Sequence, residues 1–291
     1  MMSVTWSEWL KMRWGLLTHP QFYRNPLAAF WRRLIWKGYA QHQSRLNFLT
    51  EYGFLIEANP QDMGIGSLFY RGQYEWAELQ LWRTFLVQPN LTVIDIGANV
   101  GLYSLTTAAH CRQHGLSNVK IYGFEPNPYE YSKFQQNIAI NDYQEIQVLP
   151  FAMSDRAGVC QMSIPPTGMG MLSRLLTDEL PQANASQTLD VKTITLDEWC
   201  NQQGIQKIDL LKLDVEGHEL NVLLGSQNLL ETQAIQVLFM EVGHGQWQKT
   251  IDLLEDYGYR IERVCRNGSL IPFNRADITG WSNVIARAKS G

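Results

Sequence analysis

A doubly wound α/β fold is what the 291-residue sequence predicts, and three observations carry it. The β-branched run Thr92-Val93-Ile94-Asp95-Ile96 reads as a buried strand that breaks at Gly97-Ala98-Asn99-Val100-Gly101 and turns into a helix. Strand and helix patterns then alternate, a rhythm that builds a parallel sheet with right-handed crossovers. Acids stand at the ends of these strands, at Glu125, Asp214 and Glu241. In such a sheet the carboxyl ends of the strands face the ligand.

Residues 1–50 form an aromatic extension that holds half of the ten tryptophans. Trp6/Trp9 and Leu27/Phe30/Trp31/Leu34/Ile35 have helical spacing, and Pro20 and Pro26 divide the segment into two or three short helices. It reads as a helical cap on the main domain, on a second subunit or on a fusion partner. The alternative is an interfacial or substrate-covering element, since Trp with Arg and Lys suits a membrane surface. Gly53–Ile56 and Ile65–Phe69 read as short strands, and Tyr74–Leu86 as a helix.

The main domain is assigned to residues 51–291. After the Thr92–Ile96 strand come helix Leu102–His114, strand Lys120–Phe124, helix Tyr129–Asn141 and strand Ile146–Ala152. Residues 159–196 break the rhythm with Pro165-Pro166, Gly168, Gly170 and three methionines, and read as an insertion or lid. Within it Val159–Ile164 and Leu189–Ile194 can pair as antiparallel strands. The rhythm resumes with helix Leu196–Gln203, strand Ile208–Asp214, helix Leu220–Leu224, strand Ala234–Val242 and helix Gly245–Tyr257. Arg260–Cys265 and Ser282–Arg287 close the sheet.

Composition narrows the class. No apolar run approaches the length of a membrane span. Trp6, Glu8, Lys11 and Arg13 interrupt any signal-peptide core. Cys111, Cys160, Cys200 and Cys265 are widely spaced, and read as reduced thiols of a cytoplasmic protein rather than disulfides or zinc ligands. The net charge of -4 argues against nucleic acid as a partner. It is unevenly spread: up to residue 50, Lys11, Arg13, Arg24, Arg32, Arg33, Lys37 and Arg45 face one acid, Glu8.

A nicotinamide fingerprint needs G-x-G-x-x-G, and here Asn99 replaces the middle glycine. Asp95 lies just before the glycines, where an acid is awkward beside phosphates but suits an amino group or a sulfonium. That tilts the choice toward S-adenosylmethionine. Glu125 ends the second strand, where a carboxylate accepts hydrogen bonds from ribose hydroxyls, and Pro126 and Asn127 fix the turn behind it. Asp214-Val215-Glu216-Gly217-His218-Glu219 faces the same crevice. A histidine flanked by carboxylates at a strand end is placed for tuning of its pKa. His218, oriented by Glu216 or Glu219, is the expected base, with Asp214 near the reacting centre. Asp214 and Glu241 read as orienting groups rather than Mg²⁺ ligands, so no metal is expected.

These residues together resemble the FkbM family of S-adenosylmethionine-dependent methyltransferases. The matching stretches are Gly72–Glu75, Val93–Gly101, Phe124–Asn127, Ala152–Asp155, Thr195–Asp197, Lys212–Glu219 and Glu241-Val242. The resemblance implies a class I methyltransferase fold, Rossmann-like, with a seven-stranded mostly parallel sheet, its last strand antiparallel, and helices on both faces. It implies O-methylation in natural-product or sugar pathways. Gly97, Asn99 and Gly101 would line the methionine end, which Glu75 also reaches. Glu125 would hold the ribose, and Ala152, Met153 and Ser154 would flank the adenine. The acceptor is expected to be a small molecule or a peptide, methylated on a hydroxyl or on a C-terminal carboxylate. The competing class is an NAD-dependent oxidoreductase on a Rossmann fold, against which Asp95, Asn99 and the Asp214–Gly217 motif argue.

Overall fold

The computed structural model describes residues 26–42, 46–58, 66, 68–69, 74–164, 173–176, 187–243 and 245–289. Trp6, Trp9, Trp14, Gly72, Gln73, His244 and the Pro165–Met171 part of the insertion lie outside the described residues. The chain divides into two compact units. One contains the residues up to Glu51 with Leu55–Tyr74, the other Tyr52–Phe54 with Glu75–Gly291.

In the smaller unit, α1 is one 17-residue helix, Pro26–His42. Pro26 starts this helix rather than breaking it, because the first helical position needs no backbone N–H. Strand β1 (Leu46–Leu49) pairs antiparallel with β2 (Leu55–Ala58). Phe69 lies 5.3 Å from the ring of Trp36 and 5.0 Å from that of Phe48. Gly66, Leu68 and Phe69 are helical, against the strand expected at Ile65–Phe69. Leu68 is buried and its neighbour Phe69 also packs inward. Successive positions of a strand would point to opposite faces.

The larger unit opens with α2 (Trp76–Arg83), β3 (Thr92–Ile96), α3 (Leu102–Gln113), β4 (Lys120–Phe124), α4 (Pro128–Asn141) and β5 (Ile146–Leu149). Next come β6 (Ala152–Met153), β7 (Gly158–Ile164), β8 (Arg174–Leu175) and β9 (Gln187–Ile194). The chain continues through α5 (Leu196–Gln203), β10 (Ile208–Leu213), α6 (Glu219–Leu224), α7 (Gln227–Glu231), β11 (Ile235–Val242) and α8 (Trp247–Asp256). It ends with β12 (Arg260–Val264), β13 (Leu270–Pro272) and β14 (Ser282–Arg287).

The main sheet has the order β13-β12-β14-β11-β10-β3-β4-β5. Strands β11, β10, β3, β4 and β5 are parallel, while β14 runs antiparallel between β11 and β12. Eight strands are present instead of seven, and the additional one is the three-residue edge strand β13. Ile94, Ile96, Leu211, Leu213, Leu238, Met240, Val284 and Ala286 are buried in one core. These alternate positions share one face of the sheet, and Val93, Leu210, Val237, Phe239 and Ile285 on the other face are buried as well, the unbroken apolar pattern of strands covered on both faces.

The strand expected at Ile146–Ala152 is divided. Pro150 has no N–H to donate to a ladder, so β5 stops at Leu149. Ala152–Met153 instead pairs with β9 in a second sheet of order β6-β9-β7-β8. Within this sheet β7 and β9 pair antiparallel from Gly158↔Thr193 to Ile164↔Gln187, the pairing expected of Val159–Ile164 and Leu189–Ile194.

Candidate functional site

The site is built at the carboxyl ends of β3, β4 and β10. Gly97 leaves β3 with φ 76°, and a Cβ there would fall 1.8 Å from the Asp214 carbonyl oxygen. Glycine is required because the turns after β3 and β10 touch. The backbone N–H groups of Gly97 and Ala98 both donate to the Phe124 carbonyl at 3.0 Å, which ties the turn to β4. Asn99 is left-handed at φ 50°, and its Oδ1 accepts from the Val100 N–H at 2.9 Å. Gly101 has φ 92°, and a Cβ there would meet the Phe134 ring at 2.1 Å. Both glycines thus answer to packing within the protein.

Glu125 is buried just past β4. Its Oε2 accepts from the Asn99 N–H and its Oε1 from the Asn127 N–H, both at 2.8 Å. Burial pushes its carboxyl up to about 8, against the pull of these two bonds. Asn127 caps α4, accepting from the Tyr129 N–H at 3.0 Å while its Nδ2 donates to Ser173 Oγ at 3.1 Å. Pro126 is half-buried between these two residues.

A charged cluster lies between β3 and β10. Asp95 and Lys212 are register partners on these neighbouring strands, and both are buried. Asp95 Oδ2 accepts from Ser104 N at 3.1 Å and from Ser104 Oγ at 2.7 Å. Lys212 Nζ lies 2.9 Å from Asp214 Oδ2 and 5.1 Å from the Tyr103 ring centroid. Glu75 stands at the N-cap position of α2 in the left-handed region at φ 48°, with no capping bond from its side chain, and accepts from the Tyr103 hydroxyl. Burial lifts Asp95 to about 6 and Glu75 to about 7, although Lys212 draws both down. Burial also opposes the charge on Lys212, but Asp214, Glu75 and Asp95 outweigh it and raise its pKa. Three carboxylates, Glu75, Asp95 and Asp214, therefore share one ammonium group.

The turn after β10 carries the remaining residues. Glu216 is left-handed at φ 53°, and Gly217 has φ 100°. Glu219 Oε1 accepts from the N–H groups of Val215 and Gly217 at 3.2 Å each. His218 is buried. Its Nε2 lies 2.9 Å from Ser154 Oγ, which donates in turn to Asp155 Oδ1 at 2.9 Å. Its Nδ1 is buried and has no hydrogen-bond partner among the described residues. The imidazole is thus oriented by Ser154 and Asp155, in place of the Glu216 or Glu219 expected from proximity in sequence. Burial lowers its pKa from 6.5, and Glu219 and Asp155 oppose that shift.

The fold brings Glu75, Asp95 and Asp214 together around Lys212, joins Asn99, Glu125 and Asn127, and sets Ser154 on His218. Ala152 and Met153 are buried side chains of β6, packed into the two cores where the sheets meet. Lys212, Tyr103 and Ser104 were not singled out from the sequence. A lysine two positions before Asp214, directly after Leu210-Leu211 in a strand that reads as buried, was the available signal, because buried lysines are rare unless paired.

A domain described as "Methyltransferase FkbM domain" matches residues 95–261. Methyltransferase sdnD of Sordaria araneosa is 30% identical over 201 residues, covering 60% of this chain and 75% of that protein. The hexuronic acid methyltransferase AglP of Haloferax volcanii is 28% identical over 162 residues, covering 55% of this chain and 59% of that protein. The 31-O-demethyl-FK506 methyltransferase FkbM of Streptomyces tacrolimicus is 25% identical over 201 residues, covering 60% of this chain and 75% of that protein.

Proposed function

This chain belongs to the FkbM methyltransferase-domain family, and we propose that it moves the methyl group of S-adenosylmethionine onto a hydroxyl of a sugar or natural product. The observation that carries this reading is the surplus of carboxylate over ammonium at the strand ends. Among the described residues, Glu75, Asp95 and Asp214 surround a single ammonium group, that of Lys212. Such a cluster repels a pyrophosphate and suits a ligand with an α-amino group and a sulfonium.

The other residues fit the same cofactor. Each Glu125 oxygen uses one lone pair on a backbone N–H and keeps another for a ribose hydroxyl. Gly97, Asn99 and Gly101 shape the turn beside the methionine end, with Pro126 and Asn127 supporting the ribose side. Ala152, Met153 and Ser154 border the adenine side. The names of AglP and FkbM, which specify a hexuronic acid and a 31-O position, support an oxygen acceptor.

Bound there, S-adenosylmethionine supplies an electrophilic methyl group on a sulfonium. The chain's contribution is alignment, worth up to about 7–11 kcal/mol when reacting atoms are held in line, together with removal of the hydroxyl proton. His218 is assigned that proton. Ser154 Oγ donates to Asp155, so it accepts from the Nε2–H of His218. This fixes the tautomer whose Nδ1 carries the lone pair. Asp214 and Glu216 border the same turn and position the acceptor.

Incubation with methyl-labelled S-adenosylmethionine and a panel of sugar and polyketide alcohols tests the reading. The expected product carries the label in an alkali-stable ether. An alkali-labile label would replace the hydroxyl by a carboxylate acceptor. No transfer to any acceptor, with NAD bound instead, would overturn the proposal.

A further inference from the structure

Helix α1 turns its more apolar face to solvent. Leu27, Phe30, Trp31, Leu34 and Ile35 recur at helical spacing and are 72%, 57%, 60%, 43% and 47% exposed. Trp36 lies on the opposite side of the helix, about 180° from Leu27 at ~100° per residue, and is buried against Phe69. A helix that serves only as a cap places its apolar stripe inward.

The charges on α1 are equally one-sided. Arg32, Arg33 and Lys37 lie on it, with no Asp or Glu in its sequence PLAAFWRRLIWKGYAQH. At ~100° per residue, position 32 flanks one side of the apolar stripe and positions 33 and 37 the other. An apolar stripe bordered by basic positions is complementary to an anionic lipid surface, where acyl chains take the stripe and phosphates take the bases. Among the described residues no helix is long and apolar enough to cross a membrane, so the contact is peripheral.

We propose that α1 is an interfacial helix that seats the protein on an anionic bilayer, with Leu27, Phe30, Trp31, Leu34 and Ile35 entering the headgroup boundary. This rests on the smaller unit alone and is independent of the reading of the active site. The full chain is sedimented with phosphatidylcholine vesicles, with and without phosphatidylglycerol. Binding is expected to the anionic vesicles and to weaken as salt is added. Phe30→Glu with Trp31→Glu is expected to lower partitioning by about tenfold or more, and Arg32→Glu by about fivefold or more. Phe30→Ser with Leu34→Ser provides a milder version of the same loss. Circular dichroism and the thermal midpoint are expected to stay at parent values in all three. Equal binding to neutral vesicles, no vesicle binding, or stripe variants that bind like the parent would overturn the proposal. So would a dimer in sedimentation equilibrium that the stripe substitutions dissociate while vesicles capture nothing, because a second copy would then cover the stripe.

Discussion

Replacing Glu125 by Gln should change how stability depends on pH. Glu125 is buried, and its carboxyl titrates at about 8 instead of 4.5 because burial outweighs the bonds from Asn99 and Asn127. The folded protein therefore holds this proton more tightly than the unfolded chain does. The stability it contributes is greatest in acid and falls as pH rises from the unfolded value toward 8. The slope in that window is about 1.4 kcal/mol per pH unit, so roughly 2–3 kcal/mol disappears between about pH 5.5 and pH 7.5. Gln keeps the shape but accepts from only one of the two backbone N–H groups and turns its own NH₂ toward the other. That costs about 1–3 kcal/mol in acid and removes the slope. The parent should be the more stable protein in acid, the two should cross between about pH 5 and pH 7, and the Gln variant should be the more stable above that. Urea unfolding of both proteins across this range measures it. His218, with its lowered pKa, stabilises in the opposite direction as pH rises, but it is common to both proteins and cancels in the difference. A stability difference that stays constant with pH would refute the reasoning.

Four other outcomes follow from the same geometry. Lys212→Met leaves Asp95, Asp214 and Glu75 without their shared cation and should cost about 3–5 kcal/mol near neutral pH. The loss should shrink in acid as Asp95 and Glu75, at about 6 and about 7, take up protons; a urea titration showing a pH-independent loss would contradict it. Gly97→Ala places a methyl 1.8 Å from the Asp214 carbonyl at φ 76°, and should lower stability by about 1–3 kcal/mol, visible as a drop in thermal midpoint that an unchanged midpoint would contradict. His218→Ala should lower kcat by about 10²–10⁴-fold and remove the limb of the pH–rate profile due to the imidazole. Ser154→Ala should give a smaller loss and keep that limb, and wild-type turnover in His218→Ala would remove the histidine from the chemistry.

Much of the sheet was legible because fully buried strands write continuous apolar runs. Thr92–Ile96, Lys120–Phe124 and Ser282–Arg287 have the expected ends. Where the pattern was short, packing decided, as at Gly66–Phe69. Pro150 was a readable stop inside the third strand, and it separates β5 from a strand belonging to another sheet. The acids Asp95, Glu125 and Asp214 could be found from their places at strand ends. Lys212 could not be placed opposite Asp95 without the strand order, because only the adjacency of β10 and β3 brings the two together. His218 makes the same point from another direction. Its sequence neighbours Glu216 and Glu219 are acids, yet its partner Ser154 comes from the turn after β6.

The most direct test of the account is titration calorimetry of the full chain with S-adenosylmethionine and, separately, with NAD. The carboxylate-rich end of β3 and β10 predicts saturable binding of S-adenosylmethionine, weakened in Asp95→Asn, and no heat with NAD. Saturable binding of NAD with none of S-adenosylmethionine would contradict it.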